Sequence, residues 1–162
     1  MKNSKNRFEI RSLHLVNALS ITLPVLDKLQ IFNSKELKFY LDKLDSFIKY
    51  IEAQAVGPLI MKTSLLRVDN NTQFVAEYIQ QIDKLIYNTS TPYNYYELMD
   101  IPECIYTNYH GQASKLMYSY CETKNLIKEE GKAIVGEIYT VFIANDSQQD
   151  TISIDLYIPT KD

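Results

Sequence analysis

Two stretches of this chain resemble each other at a nearly constant spacing, and this repeat constrains the fold more than any other feature of the sequence. Val56-Gly57-Pro58-Leu59-Ile60 is followed 79 positions later by Val135-Gly136-Glu137-Ile138-Tyr139. Two shorter pairs recur in the same order: Tyr78-Ile79 as Tyr157-Ile158 after 79 positions, and Ser34-Lys35 as Ser114-Lys115 after 80. The repeat predicts two related halves around a pseudo-twofold axis, and the cleft between such halves is a natural site for a small ligand.

The spacing of apolar residues predicts the order β-α-β-β in residues 8–86 and again in residues 93–160. In the first half we expect a strand or a bent pair of strands over Phe8–Thr22, a helix from Ser34 to about Gln54, and strands over residues 57–66 and 74–82. The chain of 162 residues is therefore predicted to be one α+β domain with antiparallel sheets.

In the second half, a turn at Asp100-Ile101-Pro102 is predicted to separate two strands, and Gly131 to end a helix that begins at Ser114. Two more strands are predicted over residues 134–144 and 151–158.

Charge and composition exclude several classes of protein. The net charge of −3 and the pI of about 5.4 argue against direct binding to nucleic acid. No run of residues reaches the roughly 18 apolar side chains of a membrane span, and the basic start lacks the apolar region of a secretion signal, so we expect a cytoplasmic protein. The two cysteines are not spaced as zinc ligands, and there is no phosphate-binding or dinucleotide-binding loop, so neither a metal nor a cofactor is predicted.

Glu137 is the residue with the strongest predicted role. It interrupts an apolar run from Ile134 to Phe142 that is typical of a strand covered on both faces. A carboxylate in such a place is partly desolvated, which is costly unless the group is paired or protonated, so Glu137 is a candidate for function. The alternative is that Glu137 lies at the edge of a sheet or pairs with a lysine.

Tyrosine stands out in the composition, with 13 copies against six phenylalanines and no tryptophan. The repeat places Phe74 and Tyr78 on the strand face that corresponds to the face of Tyr157. If this face lines the cleft, Tyr78, Tyr139 and Tyr157 surround Glu137 and form an aromatic box for a lipophilic cation. The alternative is that these rings fill the core and place their hydroxyls at its rim.

Several short motifs of the second half occur together in one order. They are a strand that ends at His110-Gly111, an amphipathic helix, Gly136-Glu137-Ile138-Tyr139, a turn at Asn145-Asp146, and the closing Leu156-Tyr157-Ile158-Pro159. In this order they resemble the GyrI-like effector-binding domain, which is also the sensing domain of AraC- and MerR-type multidrug regulators.

The resemblance implies a duplicated β-α-β-β fold with a ligand pocket between its halves. It also implies a pocket glutamate on the strand after the second helix, and Glu137 matches that position. Because nothing before Phe8 is predicted to form a helix-turn-helix, we expect a stand-alone member.

The leading expectation is a protein without enzymatic activity that binds lipophilic, often cationic or aromatic, small molecules as a sensor or a sequestering protein. The predicted ligand-binding residues are Glu137, Tyr139, Tyr157, Tyr78 and Phe74. One alternative is a hydrolase of small electrophilic compounds in which the pocket glutamate acts as the base. Another is an inhibitor of the gyrase-inhibitor type, which would bind a protein partner.

Overall fold

Antiparallel strands and two α-helices build this protein, for which a computed structural model describes residues 8–24, 34–68, 70–146 and 148–161. The chain divides into two units. The N-terminal unit comprises His14–Asp100, and the C-terminal unit comprises Ile101–Asp162 together with the residues before His14. Each unit contains one α-helix and an antiparallel sheet, so the predicted α+β fold class is confirmed.

In the N-terminal unit the central strand is β3, which pairs with β1 on one side and with β2 on the other. The elements, in chain order, are the second part of β1 (Glu9–Thr22), α1 (Ser34–Tyr50), β2 (Ala55–Val68), β3 (Asn71–Ile82) and the first part of β4 (Tyr93–Gln112); the first part of β1, before His14, belongs to the C-terminal unit. Helix α1 is amphipathic and turns an apolar face inward, since Leu44 and Ile48 are buried while Asp42 and Lys43 are exposed.

In the C-terminal unit the central strand is β7, which pairs with the second part of β4 on one side and with β6 on the other. The further elements are a short 3-10 helix (Ala113–Lys115), α2 (Leu116–Glu129), β5 (Ala133–Ile134), β6 (Ile138–Asp146) and β7 (Thr151–Lys161). Ile154, Leu156 and Ile158 of β7 are fully buried and form the core with Leu116 and Ile127 of α2. Burying a side chain of this size stabilises a fold by about 1.5–3 kcal/mol.

The helix of each unit covers one face of its sheet and leaves the other face uncovered by that helix, and we call the latter the helix-free face. In the N-terminal unit the ring of Tyr93 stacks on Phe47 of α1 with centroids 4.1 Å apart, whereas Tyr96 on the same strand hydrogen-bonds to Glu77 of β3. Since residues three apart on a strand point to opposite faces, Glu77 lies on the helix-free face. Tyr78, its neighbour on β3, lies on the face that α1 covers.

Both helices end in the same way, at positions 79 residues apart. At the end of α2, Gly131 has a φ of 74°, its N–H donates to Lys128 O, and Lys132 N–H donates to Ile127 O. This hydrogen-bond pattern is the Schellman motif, in which the left-handed residue favours glycine. At the end of α1 the left-handed residue is Glu52, with a φ of 58°, and the matching bonds run from Glu52 N–H to Lys49 O and from Ala53 N–H to Ile48 O.

Two predictions about the second half are wrong. No turn forms at Asp100-Ile101-Pro102, because β4 continues through these residues, with Glu103 taking up a left-handed φ of 54°. The predicted strand over residues 134–144 is interrupted after Ile134, because Gly136 adopts a left-handed φ of 74° and β6 begins only at Ile138. Glu137 therefore lies in the connection between two strands and not within one.

The two cysteines are both free thiols and differ in exposure. Cys104 on β4 is fully buried, and burial raises the pKa of its thiol to about 11. Cys121 on α2 is exposed. Within the described ranges, no helix is long and apolar enough to cross a membrane.

Candidate functional site

The helix-free face of the N-terminal unit holds Glu77, the one buried charged side chain among the described residues. Its residue is only 5% exposed, yet both carboxylate oxygens have partners. Oε1 accepts hydrogen bonds from the hydroxyls of Ser20 and Tyr96, the latter at 2.9 Å, and Oε2 lies 2.7 Å from Nζ of Lys62. An ionised carboxylate is tolerated away from water when it is paired and hydrogen-bonded in this way.

Sheet register brings these four side chains together. Lys62 of β2 lies directly opposite Glu77 of β3, and Thr22 of β1 lies opposite it on the other side, so Ser20 is one step diagonal to Glu77. Tyr96 reaches Glu77 from β4, whose neighbouring Asn94 donates to the hydroxyl of Thr22 at 3.1 Å. Four strands thus position one carboxylate.

Two opposing effects set the pKa of Glu77. Burial is the largest of them and raises the pKa, because an ion is less stable out of water. The hydrogen bonds from Lys62, Ser20 and Tyr96, with the positive charge of Lys62, together outweigh burial and hold the pKa below its ordinary value of 4.5. Glu77 is therefore ionised at neutral pH, and Lys62 is its counter-ion.

The helix-free face of the C-terminal unit is aromatic and partly exposed. Tyr106 of β4 and Tyr139 of β6 lie directly opposite Tyr157 of β7, one on each side, so the three rings form a row across three strands. The rings of Tyr106 and Tyr157 meet edge to face with centroids 5.3 Å apart. Asp155, two residues from Tyr157, accepts a hydrogen bond of 2.9 Å from the hydroxyl of Tyr106.

An internal cation already lies on this row of rings. The guanidinium of Arg11 sits 3.8 Å from the centre of the Tyr106 ring, and its Nε donates to Glu9 at 2.7 Å. Burial raises the pKa of Tyr106, and the hydrogen bond to Asp155 raises it further. In this contact the face of a tyrosine ring packs against the flat, delocalised cation of an arginine side chain.

A third feature is an open cavity of about 380 Å³ along α1 in the N-terminal unit. Aromatic rings dominate its lining, which consists of Phe39, Asp42, Lys43, Ser46, Phe47, Tyr50 and Tyr93. Tyr50 is 83% exposed and stacks loosely on Phe47. Because aromatic rings line this cavity and it is separate from Glu77, tests of ligand binding need to distinguish the two places.

The structure places the residues predicted from the sequence in different surroundings. Tyr139 and Tyr157 are brought together as direct cross-strand partners, with Tyr139 buried and Tyr157 half-buried. Glu137 is half-buried in the connection before β6. Tyr78 is only 3% exposed, and burial raises the pKa of its hydroxyl to about 12. The backbone of Phe74 belongs to β3, and its side chain lies outside the part that the structure describes.

One prediction about register does not hold. The repeat suggested that Tyr78 and Tyr157 occupy corresponding strand faces, but Tyr78 lies on the face covered by α1, whereas Tyr157 lies on the helix-free face of its own unit. The correspondence between β3 and β7 is therefore displaced by one residue from the spacing of 79 that the sequence repeat shows. In place of Tyr78, the residues on the helix-free face of β3 include Glu77.

Sequence reasoning missed Glu77, although the signal that selected Glu137 was present there too. Glu77 interrupts the run Phe74-Val75-Ala76-Glu77-Tyr78-Ile79, which is otherwise apolar or aromatic. Its partners Ser20, Lys62 and Tyr96 are distant in sequence and carry no motif. Only the pairing of the strands reveals that they surround one carboxylate.

The described part of the chain contains no group of three or more His, Cys, Asp or Glu side chains that could hold a metal ion. No profile of a known protein family and no curated protein matches the sequence.

Several solved structures nevertheless share this fold. The C-terminal domain of EcmrR is 12% identical with a TM-score of 0.66, over 96% of this chain and 98% of that domain. In EcmrR bound to DNA the TM-score is 0.65, over 95% of this chain but only 57% of the EcmrR chain, so this protein spans little more than half the length of EcmrR.

Two further structures cover nearly the whole chain. SAV2435 bound to tetraphenylphosphonium is 9% identical with a TM-score of 0.54, over 94% of each chain. A hydrolase from Listeria innocua is 11% identical with a TM-score of 0.53, over 94% of this chain and 92% of the hydrolase. At these identities the likeness shows a common fold and nothing more.

Proposed function

We propose that this protein binds hydrophobic, often cationic, small molecules and acts as a sensor or a sequestering protein. The observation that carries the proposal is the buried, ionised carboxylate of Glu77, which accepts a hydrogen bond from Tyr96. A carboxylate away from water attracts an organic cation more strongly than an exposed one does, and a neighbouring tyrosine ring adds attraction through its π face. The fold shared with SAV2435, a protein solved with a lipophilic cation, supports the same class of ligand.

The aromatic row of the C-terminal unit supports the proposal independently. Tyr106 already holds the guanidinium of Arg11 against its ring, and Asp155 supplies a negative charge beside it. We retain Glu137, Tyr139, Tyr157, Tyr78 and Phe74 as proposed ligand-binding residues, and we add Glu77, Tyr96, Tyr106 and Asp155.

We further propose that the protein is related to the GyrI-like effector-binding domains and that its two units arose by duplication. The equal spacing of the two Schellman motifs and of the left-handed Gly57 and Gly136 supports this origin. Superposition of the isolated units should match α1 on α2, β2 on β6 and β3 on β7. A different order of paired strands in the two superposed sheets would contradict it.

A titration with tetraphenylphosphonium tests the proposed function, and neutral triphenylphosphine oxide serves as the control ligand. Two unit charges about 4 Å apart interact by roughly 4 kcal/mol at an effective dielectric of 20, and desolvation leaves about 1–3 kcal/mol of this. Glu77→Gln should therefore lower the affinity for the cation by about 10- to 100-fold and change the affinity for the neutral ligand little. Calorimetry or fluorescence measures both.

Two matched variants locate the site. Glu137→Gln removes the carboxylate predicted from the sequence, and Tyr50→Ala alters the cavity on α1 without touching either glutamate. Loss of cation affinity in Glu137→Gln alone would move the site to the connection before β6. Loss in Tyr50→Ala alone would place the ligand on α1, and equal affinity in all variants would contradict charge-dependent binding.

A hydrolase is the second candidate, favoured by the contact between Tyr96 and Glu77. The carboxylate acts as general base and takes a proton from water as the water oxygen attacks a carbon of an epoxide and the ring C–O bond breaks. The tyrosine hydroxyl, 2.9 Å from the carboxylate, protonates the alkoxide and regains a proton from the carboxylic acid. Hydrolysis of a chromogenic epoxide that stops in both Glu77→Gln and Tyr96→Phe would establish this activity. Wild-type turnover at the uncatalysed rate would exclude it for that substrate.

A further inference from the structure

The cation that Glu77 binds in the structure is one that the protein itself supplies. Nζ of Lys62 lies 2.7 Å from Oε2 of Glu77 and 5.9 Å from the centre of the Tyr96 ring. Lys62 thus makes the two contacts, one with a carboxylate and one with an aromatic face, that an organic cation would seek here. The site is electrically neutral before any ligand arrives.

The other oxygen of Glu77 offers little room for a second cation. Oε1 already accepts hydrogen bonds from Ser20 and Tyr96. A ligand cation must therefore take the place of the ammonium group at Oε2. Lys62 can withdraw, because its side chain is 21% exposed against 7% for that of Glu77, and its four-carbon stem is flexible.

Displacement favours one class of cation over others. A small, strongly hydrated cation gains no more at the carboxylate than the ammonium group that it replaces, and it must also be stripped of water. A large organic cation with delocalised charge is weakly hydrated and gains contact with the ring of Tyr96. The exchange of lysine for ligand is therefore favourable only for the organic cation.

We propose that Lys62 is the specificity-determining residue of this site: an internal competitor that a ligand cation must displace from Glu77. The proposal rests on the proposed function and adds a basis for selectivity. Because a ligand must displace the ammonium group of Lys62, ammonium-like and inorganic cations are excluded and lipophilic cations bind. Removing the lysine should strengthen binding and widen the range of cations that bind.

Four proteins test this by titration with tetraphenylphosphonium and, separately, with tetramethylammonium: wild type, Lys62→Met, Glu77→Gln and the double variant. Lys62→Met should bind tetraphenylphosphonium about 10- to 100-fold more tightly and should acquire measurable affinity for tetramethylammonium. In the double variant this gain should disappear, because the carboxylate that Lys62 masks is then absent.

The dependence on pH gives a signature that a purely structural role of Lys62 would not produce. Without the ammonium group, the buried carboxylate takes up a proton more readily, so the affinity of Lys62→Met should rise with increasing pH as this carboxylate ionises. The wild type and the double variant should show no such rise. If Lys62→Met does not fold, Lys62→Gln removes the charge while its amide still donates a hydrogen bond to Oε2.

The outcomes separate the two proposals. Suppose that the wild type binds tetraphenylphosphonium and that a folded Lys62 variant binds it equally or more weakly at pH 9. This result would overturn the role of Lys62 and leave the proposed function intact. Binding by Lys62→Met but not by the wild type would support the internal competitor and reject cation binding as the function of the natural protein. Absence of binding in both overturns both proposals.

Discussion

The two units place the same three chemical groups on their helix-free faces, a carboxylate, a tyrosine hydroxyl and a cation, but they bury them to different extents. In the N-terminal unit, Glu77, Tyr96 and Lys62 meet around a carboxylate that is 5% exposed. In the C-terminal unit, the contact of Tyr106 with Asp155 is only half-buried, and Arg11 lies at the surface. The comparison indicates that the burial of a charged group, rather than the type of residue, determines how much the charge contributes to the stability of the fold.

The largest expected difference between the units concerns their cations. Lys62→Met leaves the buried Glu77 without its counter-ion, so the free energy of unfolding should fall by about 3–5 kcal/mol. Arg11→Met is the matched change in the C-terminal unit and should leave the midpoint of urea denaturation close to that of the wild type, since water already screens that charge. Equal losses in the two variants would show that burial does not separate the two sites.

Acid acts on the same buried pair. Because the pKa of Glu77 in the folded protein lies below its ordinary value of 4.5, the pair contributes its full stability above that pH and loses it as the pH falls through the folded pKa. Urea midpoints of the wild type should therefore decline below about pH 4.5. The decline should be smaller in the double variant with Lys62→Met and Glu77→Gln, and an equal decline would contradict this assignment.

Alkali should affect both units alike. Burial raises the pKa of Tyr78 to about 12 in the N-terminal unit and that of Tyr120 to about 12 in the C-terminal unit, where the hydrogen bond to Thr140 opposes the shift. An unfolded tyrosine ionises near 10, so stability is fully present below pH 10 and is lost as the pH rises to about 12.

The loss should be on the order of 1–3 kcal/mol for each of these tyrosines. Tyr78→Phe and Tyr120→Phe should each abolish the part of the alkaline loss of stability that their own hydroxyl causes. Tyr87→Phe, at an 89% exposed residue, should leave the loss unchanged. Chemical denaturation at pH 8 and at pH 11 measures this. The same loss in all four proteins would assign the alkaline effect to other groups.

The smallest expected effect lies at the ends of the helices. Glu52 occupies a left-handed conformation that costs a residue with a side chain roughly 1 kcal/mol, whereas Gly131 occupies the same position of the other motif without that cost. Glu52→Gly should therefore stabilise the protein by up to about 1 kcal/mol, and Gly131→Ala should destabilise it by a similar amount. Differential scanning calorimetry should show shifts of opposite sign, and shifts of the same sign would mean that other contacts dominate at one helix end.

Much of the fold could be predicted because its periodic signals are local. The buried face of α1, with Leu44 and Ile48, and the alternating burial of side chains along β7 both follow from the spacing of apolar residues. Local signals failed where the backbone departs from ideal geometry: Pro102 does not interrupt β4, and Gly136 interrupts the strand that the apolar run suggested. A proline is tolerated where a strand needs no N–H at that point, which depends on the neighbouring strand and not on the sequence around it.

The candidate site was harder to predict, because it depends on residues far apart in the chain. Glu77 and Glu137 interrupt apolar runs in the same manner, and the sequence gives no reason to prefer one. What distinguishes Glu77 is that Ser20 and Lys62 lie on strands that flank it. Register at this level of detail also decides the faces of Tyr78 and Tyr157, where a shift of one residue reverses the outcome.

Because one thiol is buried and the other exposed, the alkylation of the two cysteines can report local unfolding. Only thiolates react with alkylating reagents, and Cys104 is buried in β4 with its pKa raised to about 11, whereas Cys121 is exposed on α2. At pH 8 an alkylating reagent should modify Cys121 at once and Cys104 only when β4 separates from its neighbours. Because the chain has no other cysteine, the second adduct detected by mass spectrometry reports on Cys104, and where alkylation is faster than reclosing its rate of appearance is the rate at which this part of the C-terminal unit opens.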